Sequence, residues 1–348
     1  MNIIIAVIIF SFIIIFHELG HFLLAKKNGI CVEEFCLGLG PTIIGKQFGE
    51  TFYSLKLFPF GGACMMRGED EASDDAGAFN NKSVLARISV VFAGPFFNFI
   101  LAFLLSLILI GMVGSDIPVL SDVEENSPAY EAGLRAGDEI TRIDGARIHN
   151  FREISYYLLL ENQDQPFEVE YKRSGKTAES TVTPQYDEET GSYRIGVRSS
   201  GYMKLDPIKT IQYSFYEVRC QIKITVLSLK QLVTGQLGLN EISGPVGIVS
   251  VIGDTYDQAR SFGFLIILES MLNMTILLSA NLGVMNLLPI PALDGGRLVF
   301  LIIEGIRGKA MDSEKEGKIH YAGLLFLLGL MILIMVKDIR TLLISFLQ

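Results

Sequence analysis

Apolar residues are concentrated in four long runs, separated by charged loops and by one extended stretch of mixed polarity. Residues 3–16 are apolar but for Ser11, and 22–25 carry the run past a polar insert to the lower limit for crossing a bilayer, roughly 17 to 25 residues. A second run covers 88–113, and a third covers 264–288, the latter interrupted by Glu269, Asn273, Asn281 and Asn286. The fourth, 321–336, is shorter and closes at Lys337. Polar groups inside a span are costly and usually face protein or a water-filled cavity, so the third run is expected to line one. No basic residue precedes the first run and no small-x-small site follows it, so it is expected to be kept as a span rather than cleaved as a signal peptide.

The pattern changes at Ser115. From there to about Ser200 it alternates in short stretches, 167–171 and 180–183, with turn signals at Asp144-Gly145 and Ser174-Gly175, which predicts a small, mostly stranded domain with one or two helices. From Ile208, the residues Ile211, Phe215, Val218, Ile222, Leu229 and Leu232 recur at three or four and predict a long amphipathic helix. The resulting divisions are 1–114, 115–200, 201–257 and 258–348. Lys26, Lys27, Lys82 and Arg87 lie between the first two spans, and Arg307, Lys309, Lys315 and Lys318 between the last two. Basic residues favour the cytoplasmic side, so both short loops are expected inside and 115–257 outside, against the weaker opposite pull of Lys337 and Arg340.

Composition agrees with a membrane protein. Of 348 residues, 50% are apolar and 19% charged, and the mean hydropathy is +0.41. Twenty-nine basic against 38 acidic residues give a net charge of −9, which argues against a nucleic-acid partner. Four cysteines are too few for a disulfide scaffold, and Cys31 and Cys36 lack the second pair that a structural zinc site needs.

The candidate chemistry starts in the first span. His17-Glu18-Leu19-Gly20-His21 reads H-E-x-x-H: on a helix the two imidazoles lie one turn apart on one face, where both can reach one ion, with Glu18 beside them. Neutral imidazoles suit Zn²⁺, and a catalytic zinc wants a third protein ligand. His149 belongs to the outer domain and His320 starts the fourth span without a supporting motif. Asp294 is the better candidate: it closes Asn286-Leu-Leu-Pro289-Ile-Pro291-Ala-Leu-Asp294-Gly295-Gly296, where two prolines break the third run. A carboxylate on broken helix at membrane depth is tolerated when it is buried in protein, lines water or binds a cation.

H-E-L-G-H in a first span, N-x-x-P-x-P-x-L-D-G-G after a third, Gly94-Pro95 with Asn98 in the second and an inserted domain together resemble the site-2 protease family of intramembrane zinc metalloproteases. The bacterial, anti-sigma-factor-cleaving, RseP-like branch is the best match. The resemblance implies zinc ligands at His17, His21 and Asp294, a catalytic glutamate at Glu18 and substrate-positioning asparagines at Asn281 and Asn286. Ser127-Pro128-Ala129, Ala132-Gly133-Leu134 and Gly137-Asp138-Glu139-Ile140 are similar to the PDZ domains of this branch, of which the chain has room for one rather than two. Residues 51–60 alternate loosely before Gly61 and Gly62 and resemble the family's membrane-re-entrant hairpin, about 50–66. Strand addition to residues 51–60 would hold an unwound substrate, which places Phe58, Gly61 and Gly62 among the expected substrate contacts. The loop Ile242-Ser-Gly-Pro-Val-Gly-Ile248 resembles the one ahead of the third span.

The expected fold is thus an α-helical polytopic membrane protein of four spans with an inserted, mainly-β PDZ domain and a membrane-associated hairpin. The expected activity is Zn²⁺-dependent hydrolysis of peptide bonds within the spans of single-span membrane proteins, anti-sigma factors or remnant signal peptides, in the bacterial cytoplasmic membrane. The PDZ domain is expected on the extracytoplasmic side, excluding substrates not yet trimmed by an upstream protease. Two rivals use the same residues: a non-cleaving membrane PDZ adaptor, disfavoured by Glu18 and Asp294, and a metal-handling membrane protein, disfavoured by the lack of repeat symmetry.

Overall fold

The computed structural model describes residues 2–69, 73–161, 164–188, 191–238, 241–309 and 312–347. The chain divides into two compact units, Met1–Ala102 with Gly238–Gln348, and Phe103–Leu237.

In the first unit, α1 (Asn2–Lys27) is apolar on all sides and ends on Lys26 and Lys27, cations placed at the negative end of the helix dipole. The strands β1 (Val32–Phe48) and β2 (Thr51–Met66) follow, then α2 (Val84–Val113), which carries Pro95 in its interior. After the second unit come α6 (Pro245–Arg260), α7 (Phe264–Asn286), α8 (Asp294–Arg307) and α9 (Ser313–Leu347). Among the described residues, four helices are long and apolar enough to cross a membrane: Ile3–Lys27, Val84–Val113, Phe264–Asn286 and Glu314–Ile344. They coincide with the four runs in the sequence, and the last extends beyond its run at both ends. Helices α1 and α2 meet closely at Gly20, where a Cβ would lie 2.4 Å from the Ala93 carbonyl oxygen. Ser279 Oγ of α7 donates to the Asn98 carbonyl of α2 (2.8 Å). Between α2 and α8, Arg87 reaches Glu304 through two guanidinium nitrogens.

Strands β1 and β2 each fold back on themselves, so the pair makes four segments rather than two. Residues 32–37 pair on one side with 52–55 and on the other with 62–66, while 42–48 pair with 51–56. The free edges are therefore 42–48 and 62–66. Residues 52–55 are paired on both sides and offer no edge, which corrects, for that part, the expectation that 51–60 receive the substrate. The end of this sheet around Leu39 and Phe58 also exposes Ile43, Ile44 and Leu57, an apolar surface suited to acyl chains.

The second unit is PDZ-like. Strands β3 (Leu120–Val123), β4 (Glu139–Ile143), β5 (Ala146–Arg147), β6 (Phe167–Arg173), β7 (Lys176–Val182), β8 (Gln185–Asp187), β9 (Ser192–Arg194) and β10 (Val197–Ser199) alternate with α3 (Pro128–Glu131) and α4 (Arg152–Leu160). Their order is β5-β4-β6-β7, with β10-β3 and β8-β9 as separate pairs. Leu120, Leu134, Ile143, Phe167, Val169 and Val182 form the core. Asp138 of the Gly137-Asp138 turn is fully buried and accepts from Arg173 Nε (2.7 Å) and from the Arg135 backbone N–H (2.8 Å), so its charge is paired. The amphipathic helix α5 (Pro207–Val233) is capped by Asp206, and its Lys223 and Gln231 reach Glu161 and the Leu160 carbonyl beside α4.

A buried polar cluster joins α4 to α5. Arg152 pairs with Asp116 (3.2 Å) and Glu217 (2.9 Å), and Arg219 reaches His149 Nδ1 (3.1 Å). Burial pushes the Glu153 carboxyl above its ordinary range, while burial with Arg219 and Arg147 holds His149 below its own. All four cysteines, Cys31, Cys36, Cys64 and Cys220, are free and buried.

Candidate active site

His17 and His21 project from the same face of α1, with their Nε2 atoms 3.2 Å apart and their rings edge to face. Asp294 is the first residue of α8, where the helix dipole favours a carboxylate. Its Oδ2 lies 3.1 Å from His17 Nε2 and 3.5 Å from His21 Nε2. His21 Nδ1 is 2.9 Å from the Val90 carbonyl; donation there leaves the Nε2 lone pair facing Asp294. Asp294 Oδ2 is buried with no hydrogen-bond donor, so acceptor atoms converge here on a point that calls for a cation. Tetrahedral zinc with ligands at its usual bond lengths keeps them about 3.3 Å apart, close to all three separations. The donor set therefore fits Zn²⁺, and it is the one cluster of metal-ligating residues among the described residues.

Asn98 is fully buried with its side-chain amide 3.2 Å from His17 Nδ1 and its Oδ1 without a partner. A half-turn of the amide exchanges oxygen and nitrogen, and with Oδ1 toward the ring His17 donates from Nδ1 and keeps its Nε2 lone pair for the ion. Gly94 closes the site from α2: a Cβ there would lie 2.2 Å from His21 Nε2 and 2.8 Å from His17 Cε1. Gly295 and Gly296 let the preceding loop fold back over the start of α8, where added Cβ atoms would meet the Leu288 and Ile290 carbonyls at 2.2 and 2.4 Å.

A cavity of about 830 Å³ opens on these groups, walled by His17, Glu18, His21, Asp294, the free edge 62–66 and the segment after it. Gly62 sits against Glu18, whose Cγ an added Cβ would approach to 3.2 Å. Arg297 and Glu69, also in the wall, form an ion pair. Phe58 and Gly61 are not in the wall: Phe58 is exposed beside Gly38 and Gly40, and Gly61 makes the turn against Leu39 at φ +91°. Asn281 and Asn286 lie half-buried on α7, Asn286 on the helical face of Thr275, Ser279 and Gly283 and Asn281 on the opposite one. His149 lies in the PDZ-like unit beside Glu153, and His320 accepts the Ala292 backbone N–H (3.0 Å).

The sequence reading placed no chemistry on Gly94, missed the contact of Asn98 with His17, and of the edge 62–66 named only Gly62. A signal existed for Gly94, since glycine inside a long apolar helix costs stability and is retained for close approach. The edge depends on a fold-back that local alternation does not reveal.

The sequence pattern of peptidase family M50 matches residues 5–330. A Clostridium acetobutylicum protein provisionally named as a zinc metalloprotease is 40% identical over 338 residues, covering 97% of both chains. The regulator of sigma-W protease RasP of Bacillus subtilis is 32% identical over 422 aligned positions, again covering 97% of each. Among solved structures, the PDZ domain of an SdrC-like protein from Listeria monocytogenes is similar over 25% of this chain and 92% of its own, at 25% identity and a TM-score of 0.23. The chain therefore belongs to peptidase family M50, the site-2 proteases, and is a zinc metalloprotease of the membrane.

Proposed function

We propose that the chain hydrolyses peptide bonds within the spans of single-span membrane proteins, with Zn²⁺ held by His17, His21 and Asp294 and with Glu18 moving the proton. One observation carries the reading: the three converging acceptors, the Glu18 side chain and a strand edge that is unpaired among the described residues share one cavity. Bound there, Zn²⁺ supplies Lewis-acid polarisation of the scissile carbonyl and lowers the pKa of water. Glu18 takes a proton from the attacking water as the C–O bond forms and passes it to the amine nitrogen as the C–N bond breaks. Asn98 and the Val90 carbonyl hold the two imidazoles in the tautomer the ligands need.

A substrate helix has its own carbonyls bonded and must unwind before it is cut. The edge 62–66 offers the replacement bonds, an extended strand there running past Glu18. Asn281 and Asn286 are assigned to hold the substrate backbone, a role resting on the resemblance to the family's substrate-positioning asparagines. The sigma-factor role in the name of the Bacillus subtilis relative supports substrates of the anti-sigma-factor class, with remnant signal peptides as the second class. The positions of the basic residues favour the bacterial cytoplasmic membrane with the PDZ-like unit outside, where it would admit substrates already trimmed by an upstream protease. An impermeant thiol reagent should label cysteines introduced at Ser174 and Lys315 from opposite sides; labelling from one side overturns this orientation. Family membership sets aside the non-cleaving adaptor and the metal carrier.

The deciding experiment incubates the purified chain with a candidate single-span protein, with and without a chelator. Cleavage should need the metal, and Asp294→Ala should lose both zinc and cleavage. A variant keeping full zinc and full activity refutes Asp294 as the third ligand.

A further inference from the structure

We propose that His320, on α9, is a positioning residue that holds Asp294 at the metal site by accepting the backbone N–H of Ala292. The inference rests on the assignment of Asp294 as a ligand and concerns how that ligand is kept in place.

The segment between α7 and α8 contains Pro289 and Pro291, which have no N–H to donate, so it has few bonds of its own. Ile290 N–H donates to Leu288 and Leu293 N–H to Ile290, both within the loop. The Ala292 N–H leaves the loop and meets His320 Nδ1 at 3.0 Å. Ala292 stands at φ +76°, a left-handed conformation that a residue with a Cβ adopts only when its surroundings impose it. Two residues later the chain enters α8 at Asp294. Release of Ala292 to an ordinary conformation would therefore swing the carboxylate away from His17 and His21.

Two further contacts make α9 the part that imposes it. Gly323, almost one turn after His320, lies so close to the loop that a Cβ would be 2.5 Å from the Pro291 carbonyl oxygen. The His320 ring packs against Phe300 of α8, with centroids 5.3 Å apart. His320 thus touches the chain on both sides of Asp294, the loop before it and the helix after it. Because Nδ1 accepts, the ring proton is on Nε2, which faces Glu316 Oε1 at 3.8 Å. Loss of such an outer partner of a ligand typically weakens a metal site by about 10- to 100-fold.

The test measures zinc affinity of the full-length chain in detergent by competition with a chromophoric chelator, with thermal unfolding of the metal-free protein as the control. His320→Phe keeps the ring against Phe300 and removes the acceptor; its zinc affinity should fall by about 10- to 100-fold with the metal-free melting point kept. His320→Asn places a carbonyl oxygen near the position of Nδ1 and should recover most of the loss. Ala292→Gly in the His320→Phe background relieves the left-handed strain and should recover part of it. Zinc affinity unchanged in His320→Phe, or equal losses in His320→Phe and His320→Asn, overturns the inference. Asp294→Ala separates the two levels: if it binds zinc like the parent, the ligand assignment has failed. If it loses zinc while His320→Phe does not, only the role of His320 has failed.

Discussion

The cavity at His17 and the groove along α4 are of comparable size, about 830 and 550 Å³, but their walls are built from different materials. The groove in the PDZ-like unit is lined by Phe151 and by Ile154, Leu158 and Leu159 of α4, with residues 193–198 opposite. Such walls bind by shape and apolar area, and a changed side chain alters affinity in proportion to the surface it adds or removes. The cavity in the membrane unit is shaped by backbone and by groups with fixed directions: Gly94 against two imidazoles, Gly62 against Glu18, and a carboxylate within 3.5 Å of two ring nitrogens. There a displacement of an ångström removes a function rather than weakening one. One region should tolerate substitution by degrees, and the other should fail sharply.

Gly94→Ala tests this most severely. The added methyl would occupy the space of His21 Nε2, so zinc binding and cleavage should both fall by about 100-fold or more, read by metal analysis and a cleavage assay. Normal zinc content in this variant would show the membrane cavity to be as forgiving as the groove. Gly62→Val should act on cleavage alone, lowering it by about 10- to 100-fold with zinc retained, because it narrows the cavity at Glu18 and not at the metal ligands. Equal loss of zinc would mean that the edge 62–66 supports the metal rather than the substrate.

In the groove, Leu159→Glu should lower peptide binding to the PDZ-like unit by about tenfold and leave cleavage of a short substrate without an outer domain unchanged. The smallest effect belongs to the polar cluster between α4 and α5. His149 is held below its ordinary pKa by burial, Arg219 and Arg147, so its protonation favours the opened form. Its contribution to stability is present above about 6.5, the unfolded value, and is lost as pH falls toward the depressed folded one. With the other cysteines replaced by serine, labelling of buried Cys220 on α5 should rise in acid more in the parent than in His149→Phe. Identical ratios across pH would remove His149 from the cluster's pH response.

The same contrast explains what could be read from the sequence. The four spans were legible because a bilayer demands an uninterrupted apolar length that no local packing can replace. His17, Glu18 and His21 were legible because their spacing is a helical turn, and Asp294 because two prolines and two glycines marked its loop. Residues 32–48 were not read as a strand: they hold Glu33, Glu34 and three glycines without alternation, and become one by pairing with two other segments. That pairing also moved the free edge from 51–60 to 62–66, since local alternation does not tell a central strand from an edge. His320 carried no motif, because its partner is a backbone N–H 28 positions away in sequence.

The account stands on a division of labour in one cavity, three side chains for the metal and Glu18 for the proton. Glu18→Gln keeps the shape of the side chain and removes its capacity to carry a proton, so zinc content and cleavage of a single-span substrate should be measured on the same purified sample. The expected result is about one zinc per chain, as in the parent, with cleavage lower by about 10² or more. Cleavage near the parental rate with zinc in place would contradict it.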